Sequence, residues 1–176
     1  DAEFDLVILP YQVWYLAPSI PVMSFLMSDQ AKRLLKGKPV ITVIACRNMW
    51  FKAQEKMQTL LNDVGAQLTD NIALTDPNST LATLITTPRW LWFGKKTPFW
   101  GLPAAGLTEA QVRGTRRFGL ALCAALRNGE EKTGKPMLQG LQAVNANPHL
   151  LASERAGTHS FRIWGGWISK LGPPGA

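Results

Sequence analysis

The chain of 176 residues is 46% hydrophobic and 18% charged, which suits one domain with a single core and excludes an intrinsically disordered chain. Its formal net charge of +7 is unevenly placed, because residues 1–30 carry four acids and no lysine or arginine. This excess leaves phosphate-bearing ligands, anionic lipid and nucleic acid open as partners. Two cysteines provide no disulfide framework, and no apolar run approaches the roughly 20 residues that span a bilayer, so we expect a cytoplasmic protein.

The first half of the chain alternates between strand and helix patterns. Two short runs, Phe4–Leu9 and Pro39–Ala45, are apolar on both faces, as buried strands of a parallel sheet are. A helical stretch that Pro21 opens and Gly37 closes lies between them. A second helix follows the second strand, with Gly65 as its C-terminal cap and one apolar stripe formed by Ala53, Met57, Leu60, Leu61 and Val64.

A third strand and a last core helix complete this alternation. The strand has Leu68, Ile72 and Leu74 as its inward positions, and the helix runs from the N-cap Thr108 to about Arg127. Strands that alternate with helices in this order predict right-handed crossovers and a parallel sheet.

Two segments rich in tryptophan fall outside this alternation. Residues 79–100 form an aromatic insertion, because a minimal α/β domain needs only a short loop there. Three interpretations of the insertion stay open: a lid over a ligand, a channel for an alkyl chain, and a contact with a membrane. Residues 147–172 predict an amphipathic helix with interspersed basic residues, which either lies at a membrane surface or packs on the domain's own core.

The loops that leave the carboxyl ends of the first two strands hold the candidate binding residues, since ligands of open parallel sheets bind there. One loop is aromatic, and the other begins a helix with a cation and an amide. Backbone N–H groups at that helix start favour an anion or a carbonyl oxygen. Together the loops predict a pocket for a flat, electron-poor ring, contacted by Pro10, Tyr11, Gln12, Val13, Trp14, Tyr15, Cys46, Arg47, Asn48, Met49 and Trp50.

The same residues have simpler structural interpretations. The aromatic residues of the first loop could only cap the sheet, and Arg47 could only pair with a neighbouring acid. Cys46 at a strand end is more often a small buried hydrophobic residue than a nucleophile, although a helix start and Arg47 would lower its pKa. His149 and His159 lie in no spacing typical of a metal site or a catalytic triad, so no metal site is predicted.

Several stretches of the sequence resemble one protein family. The run DLVILPYQVWYLAPSIPVMSFL, the turn ACRNMW followed by AQEK, and the stretches DNIALTD, TTPRW and SFRIWG are similar to dialkylresorcinol condensing enzymes, relatives of flavodoxin-like NAD(P)H dehydrogenases. The resemblance spans nearly the whole chain. It implies a flavodoxin-like three-layer α/β/α fold, whose third, fourth and fifth strands lie within residues 1–130, followed by a linker and an amphipathic helical tail over residues 131–176.

The resemblance also implies a function. The implied protein is an FMN-dependent oxidoreductase or tailoring enzyme of dialkylresorcinol-type lipid biosynthesis, with NAD(P)H as electron donor and a fatty acyl or other small-molecule substrate. Arg47 would be its catalytic residue, stabilising negative charge on the reduced ring. The alternative is a cofactor-less flavodoxin-like scaffold that binds a membrane, a lipid or a partner protein. Nucleic-acid binding rests on charge alone and ranks last.

The family pattern has parts that this sequence does not match. The first two strands and the FMN phosphate loop have no counterpart here, so we expect a piece of a longer protein with an open sheet edge. Such an edge predicts self-association as a homo-oligomer unless another chain covers it. The C-terminal helix would hold the protein peripherally at the inner face of the membrane.

Overall fold

A computed structural model of the protein describes residues 4–170 and Gly172. The strands are β1 (Val7–Tyr11), β2 (Val13–Trp14), β3 (Ala17–Pro18), β4 (Pro39–Cys46) and β5 (Gln67–Thr75). The helices are α1 (Ile20–Leu26), α2 (Asp29–Leu35), α3 (Phe51–Asp63), α4 (Thr80–Phe93), α5 (Glu109–Gly114), α6 (Arg116–Arg127) and α7 (Leu150–Lys170), and a 3-10 turn spans Glu130–Thr133. Three strands form a parallel sheet in the order β1-β4-β5, and β2 pairs with β3 in a small antiparallel hairpin.

Helices cover both faces of the sheet, which confirms the predicted α/β architecture with a parallel sheet and is compatible with a flavodoxin-like fold. The central strand β4 supplies side chains to both faces, as a strand buried in a parallel sheet must. Val40 and Ile44 pack against α3, whereas Ile41 packs against α6. The apolar stripe predicted for α3 is confirmed, because all five of its members lie in the core on that face of the sheet.

The structure divides two predicted helices. The stretch from Pro21 to Gly37 is α1 and α2 rather than one helix, because the Ser28 hydroxyl oxygen accepts a hydrogen bond from the backbone N–H of Ala31 (3.2 Å) and so caps a new helix. The last core helix breaks at Thr115 into α5 and α6. Its predicted N-cap Thr108 is confirmed.

The first strand lies a few residues later than the sequence predicted, at Val7–Tyr11 rather than Phe4–Leu9. Pro10, which directly follows the predicted run, pairs within the sheet opposite Val43. A proline is tolerated there because β1 is an edge strand, with β4 as its neighbour among the described residues.

The packed core extends past residue 130. Met137 and Leu138 are buried against the α6 face of the sheet, and both of their backbone N–H groups donate to the carboxylate of Asp70 in β5 (2.8 and 3.1 Å). Further along, the backbone N–H of Ala73 donates to the carbonyl oxygen of Ala143 (2.9 Å). This segment therefore covers much of the open side of β5.

Helix α7 begins on the domain and then leaves it. Its one buried side chain is Glu154, whereas every residue from Phe161 to Lys170 is exposed. Among the described helices, none combines the length and the apolar character needed to cross a membrane.

Candidate functional site

The carboxyl ends of the three parallel strands meet at one edge of the sheet, and the loops that follow them lie side by side there. Asp76, directly after β5, joins them. Its backbone N–H lies 3.1 Å from the carbonyl oxygens of both Cys46 and Arg47. Its buried carboxylate accepts hydrogen bonds from the backbone N–H groups of Asn78 (2.9 Å) and Gly106 (2.7 Å). Asp76 thus holds the loops together, and each of its two carboxylate oxygens already accepts one hydrogen bond.

A cavity of about 560 Å³ opens at this edge. Six of its lining residues come from β4 and the two loops that the sequence singled out, and the others come from the β5 loop and from the segment around α4. The lining residues are Gln12, Val13, Trp14, Ala45, Cys46, Arg47, Asp76, Thr87, Trp90, Lys96, Gly106 and Leu107.

Two tryptophans form walls of this cavity. The indole N–H of Trp14 donates to the side-chain oxygen of Gln12 (3.0 Å), which orients the ring. Trp90 comes from α4, and the Lys96 ammonium lies 5.2 Å from its ring centroid, a cation–π arrangement. Gly106 fits under Trp90 because it has no side chain: a Cβ there would lie 3.3 Å from the indole edge.

The electrostatics of the cavity are cationic. Within the described part of the chain, the buried Nε of Arg47 has no hydrogen-bond partner. Lys96 supplies a second positive charge, and the one carboxylate, that of Asp76, is held by backbone N–H groups. A buried unpaired donor is costly, and the guanidinium of Arg47 contributes positive charge to the lining of the cavity.

Tyr11 is buried in the core, whereas Cys46 is partly buried and lines the cavity. The Tyr11 hydroxyl donates to the side-chain oxygen of Gln54 (2.7 Å) inside the core, and burial raises its pKa above the usual range. Burial, together with the nearby charge of Glu154, raises the pKa of the Cys46 thiol to about 12. The expectation that the helix start and Arg47 would lower this pKa is therefore wrong, because desolvation and the charge of Glu154 both raise it.

The anion expected at the start of α3 comes from the chain itself. The fully buried carboxylate of Glu154 in α7 accepts hydrogen bonds from the backbone N–H groups of Lys52 (2.9 Å) and Phe51 (3.4 Å). Trp50 occupies the N-cap position of α3 but provides no side-chain cap. A remote glutamate thus fills the site that the sequence left open for a ligand.

The remaining predicted residues lie around the cavity rather than in it. Asn48, Met49 and Trp50 line a neighbouring cavity of about 370 Å³ that also includes Asp76. Tyr15 lies at the far side of the β2–β3 hairpin, where its ring meets Phe161 of α7 edge-on with centroids 5.5 Å apart. Pro10 is part of β1.

The cavity also contains residues outside the predicted set. Thr87, Trp90 and Lys96 belong to the insertion over residues 79–100, for which a lid was one of three interpretations. Thr87 and Trp90 lie on α4, which follows β5 after the short loop 76–79, and Lys96 lies just beyond the end of α4. The sequence could have indicated Asp76 as a site residue, because Asp76 directly follows the third predicted strand.

Comparisons with family models, with characterised proteins and with solved structures give no significant match. The functional argument therefore rests on the cavity. Its aromatic walls and cationic lining suit a planar molecule that carries an electron-rich or anionic acceptor atom.

Proposed function

We propose that this cavity binds a planar ring and that the protein is an FMN-dependent oxidoreductase or tailoring enzyme acting on a fatty, ring-forming substrate of dialkylresorcinol type. The observation that carries the proposal is the convergence of Trp14, Trp90 and Arg47 on one cavity. The cavity also has a volume of about 560 Å³, which is within the range of small-molecule sites.

The ring portion of FMN fits these residues. Indole rings offer flat apolar surfaces for stacking, and Arg47 offers a donor to an acceptor atom of the ring. FMN would supply hydride chemistry with NAD(P)H as the electron donor. Arg47 would stabilise negative charge on the ring, and Val13 and Leu107 would exclude water from it.

The phosphate portion of FMN has a weaker match. The start of α3 is occupied by Glu154, and among residues 4–170 no glycine-rich phosphate loop follows a strand. The ring must therefore contribute most of the affinity for flavin in this chain. Riboflavin, which lacks the phosphate, is then expected to bind about as well as FMN.

Flavin fluorescence titrations test the proposal. We expect both riboflavin and FMN to be quenched on binding, and Trp90→Ala to weaken binding roughly fivefold to tenfold, since a ring contact contributes about 1 kcal/mol. Arg47→Ala should also weaken flavin binding. Trp92→Ala is the matched control, because Trp92 lies on the same helix but outside the cavity. Absence of quenching, or equal losses in the Trp90 and Trp92 variants, would contradict the proposal.

A cofactor-less scaffold that carries a lipid or a partner protein is the second candidate. The contact between Glu154 and α3 favours it, because the chain's own carboxylate takes the anion position of the strand edge. Here α7 would hold the protein peripherally at the inner, cytoplasmic face of a membrane. Displacement of a fluorescent fatty acid by unlabelled fatty acid, in a protein that ignores both flavins, would support this candidate over the first.

A further inference from the structure

Helix α4 has its apolar side chains turned towards solvent. The residues that it buries are small or carry hydroxyl groups: Ala82, Thr83 and Thr86. Its large apolar residues share the opposite side of the helix and are exposed: Leu81, Leu84, Ile85, Leu91 and Trp92. A helix that packs only on its own domain shows the reverse pattern.

The inward face of α4 is complete as it stands. The Thr83 hydroxyl donates to the carbonyl oxygen of Thr80 (2.9 Å), and the Thr86 hydroxyl donates to that of Ala82 (3.1 Å). The same side of the helix supplies Thr87 and Trp90 to the cavity. The polar groups of this face therefore have partners, and the exposed apolar stripe needs a separate explanation.

An aromatic turn continues the exposed surface beyond the helix. Gly94 ends α4 with a φ of +67°, and the chain returns through residues 95–100. The guanidinium of Arg89 holds this turn, donating to the carbonyl oxygens of Lys95 (3.2 Å) and Thr97 (2.7 Å) and lying 4.6 Å from the ring centroid of Phe99. Trp100 stacks on Phe99 at 5.1 Å and is 88% exposed. The aromatic groups are thus fixed in an outward position.

The charge of this surface selects among partners. Residues 77–108 contain Arg89, Lys95 and Lys96 and no acidic residue. Tryptophan and phenylalanine beside lysine are typical of segments that lie in the headgroup region of a membrane. A symmetric dimer through this surface would bring like charges together, which disfavours a second copy as the occupant.

We propose that the outward face of α4 and the turn over residues 93–100 dock on the surface of an anionic lipid bilayer. The leucine and tryptophan side chains enter the boundary between headgroups and acyl chains, and Lys95 contacts lipid phosphates. The helix of 14 residues is about 21 Å long. Because its exposed apolar residues all lie on one side, it lies along the surface of the bilayer. This docking is independent of what the cavity binds.

Co-sedimentation with phosphatidylcholine vesicles, with and without phosphatidylglycerol, tests the proposal. The wild-type protein should bind the anionic vesicles, and Leu91→Gln should weaken binding roughly tenfold, the cost of losing one buried leucine. Met27→Gln is a matched control, because Met27 and Leu91 are both 78% exposed and Met27 follows α1, outside the proposed surface. Equal binding by the Leu91 variant and the wild type would overturn the proposal.

Charge variants and oligomer measurements separate the remaining outcomes. Lys95→Glu should weaken binding to anionic vesicles roughly tenfold, and raising the salt concentration should do the same. Binding that is lost in a Trp164→Gln, Trp167→Gln variant of α7 but kept in the α4 variants would assign the membrane contact to α7 and overturn the proposal. A lipid-free dimer that Leu91→Gln dissociates would overturn it in favour of a second copy.

Discussion

Removal of the Glu154 carboxylate should loosen the junction between α7 and the sheet domain. Its oxygens accept hydrogen bonds from the first backbone N–H groups of α3, at 2.9 Å from Lys52 and 3.4 Å from Phe51. Those groups have no acceptor within their own helix, and the N-cap residue Trp50 offers no side-chain acceptor. Glu154→Ala therefore leaves buried donors without partners.

The expected cost can be worked from these contacts. Leaving a buried donor unpaired costs about 1–3 kcal/mol, and the longer bond to Phe51 contributes less than the bond to Lys52. Loss of a negative charge at a helix start adds about 0.3–1 kcal/mol. We expect Glu154→Ala to lower the free energy of unfolding by about 2–4 kcal/mol. Glu154→Gln retains an acceptor oxygen and should lower the free energy of unfolding by about half as much.

Urea unfolding followed by circular dichroism measures the global effect. Because α7 can detach locally, hydrogen exchange over Leu150–Lys170 measures the effect of the substitution on the local opening of this helix. Glu55→Ala is the control, since Glu55 is an exposed glutamate on α3 itself. If Glu154→Ala unfolds at the wild-type urea concentration and α7 keeps its protection, the argument that Glu154 caps α3 is wrong.

Four further predictions rest on the same geometry. Cys46 should react with iodoacetamide at pH 8 far more slowly than the exposed Cys123, because a pKa raised from 9.0 to about 12 lowers the thiolate fraction roughly a thousandfold; equal labelling by mass spectrometry would refute this. The folded state binds this proton more tightly than the unfolded state, so the stabilisation is complete below pH 9 and is lost towards pH 12, and Cys46→Ala should flatten that decline. Asp70→Ala should cost about 2–4 kcal/mol and increase hydrogen exchange over residues 137–144, because two backbone N–H groups lose their acceptor; unchanged exchange there would contradict the role of Asp70. Tyr11→Phe should cost about 1 kcal/mol in urea unfolding by removing the bond to Gln54, with no loss of flavin binding if Tyr11 belongs to the core alone.

The fold was largely predictable because its signals are local. The runs that became β4 and α3 were recognised from apolar spacing alone, and Thr108 and Gly65 were recognised from the chemistry of helix ends. The breaks at Ser28 and Thr115 were missed, because a capping hydroxyl inside an apolar periodicity leaves the periodicity unchanged.

The candidate site was predictable only in part. The two loops at the strand ends were identified because parallel strands end at one edge. The raised pKa of Cys46 was not foreseeable, since Cys46 and Glu154 are far apart in the sequence and the charge of Glu154 acts on the thiol only after folding. Nor could the sequence show that α4 would place Trp90 in the cavity and Trp92 in solvent.

Local patterns in this chain specify the three strands of the parallel sheet to within a few residues, helix α3 and the edge of the sheet at which ligands would bind, because each depends on residues within a few positions of one another. Only the tertiary structure decides which side chain accepts hydrogen bonds from each set of unpaired backbone N–H groups. Glu154 caps α3 from across the chain, Asp70 anchors the segment that covers β5, and α4 turns its threonines inward and its leucines outward. These outcomes depend on which surfaces meet, since the free energy of a buried hydrogen bond or an apolar contact depends on partners that are distant in sequence.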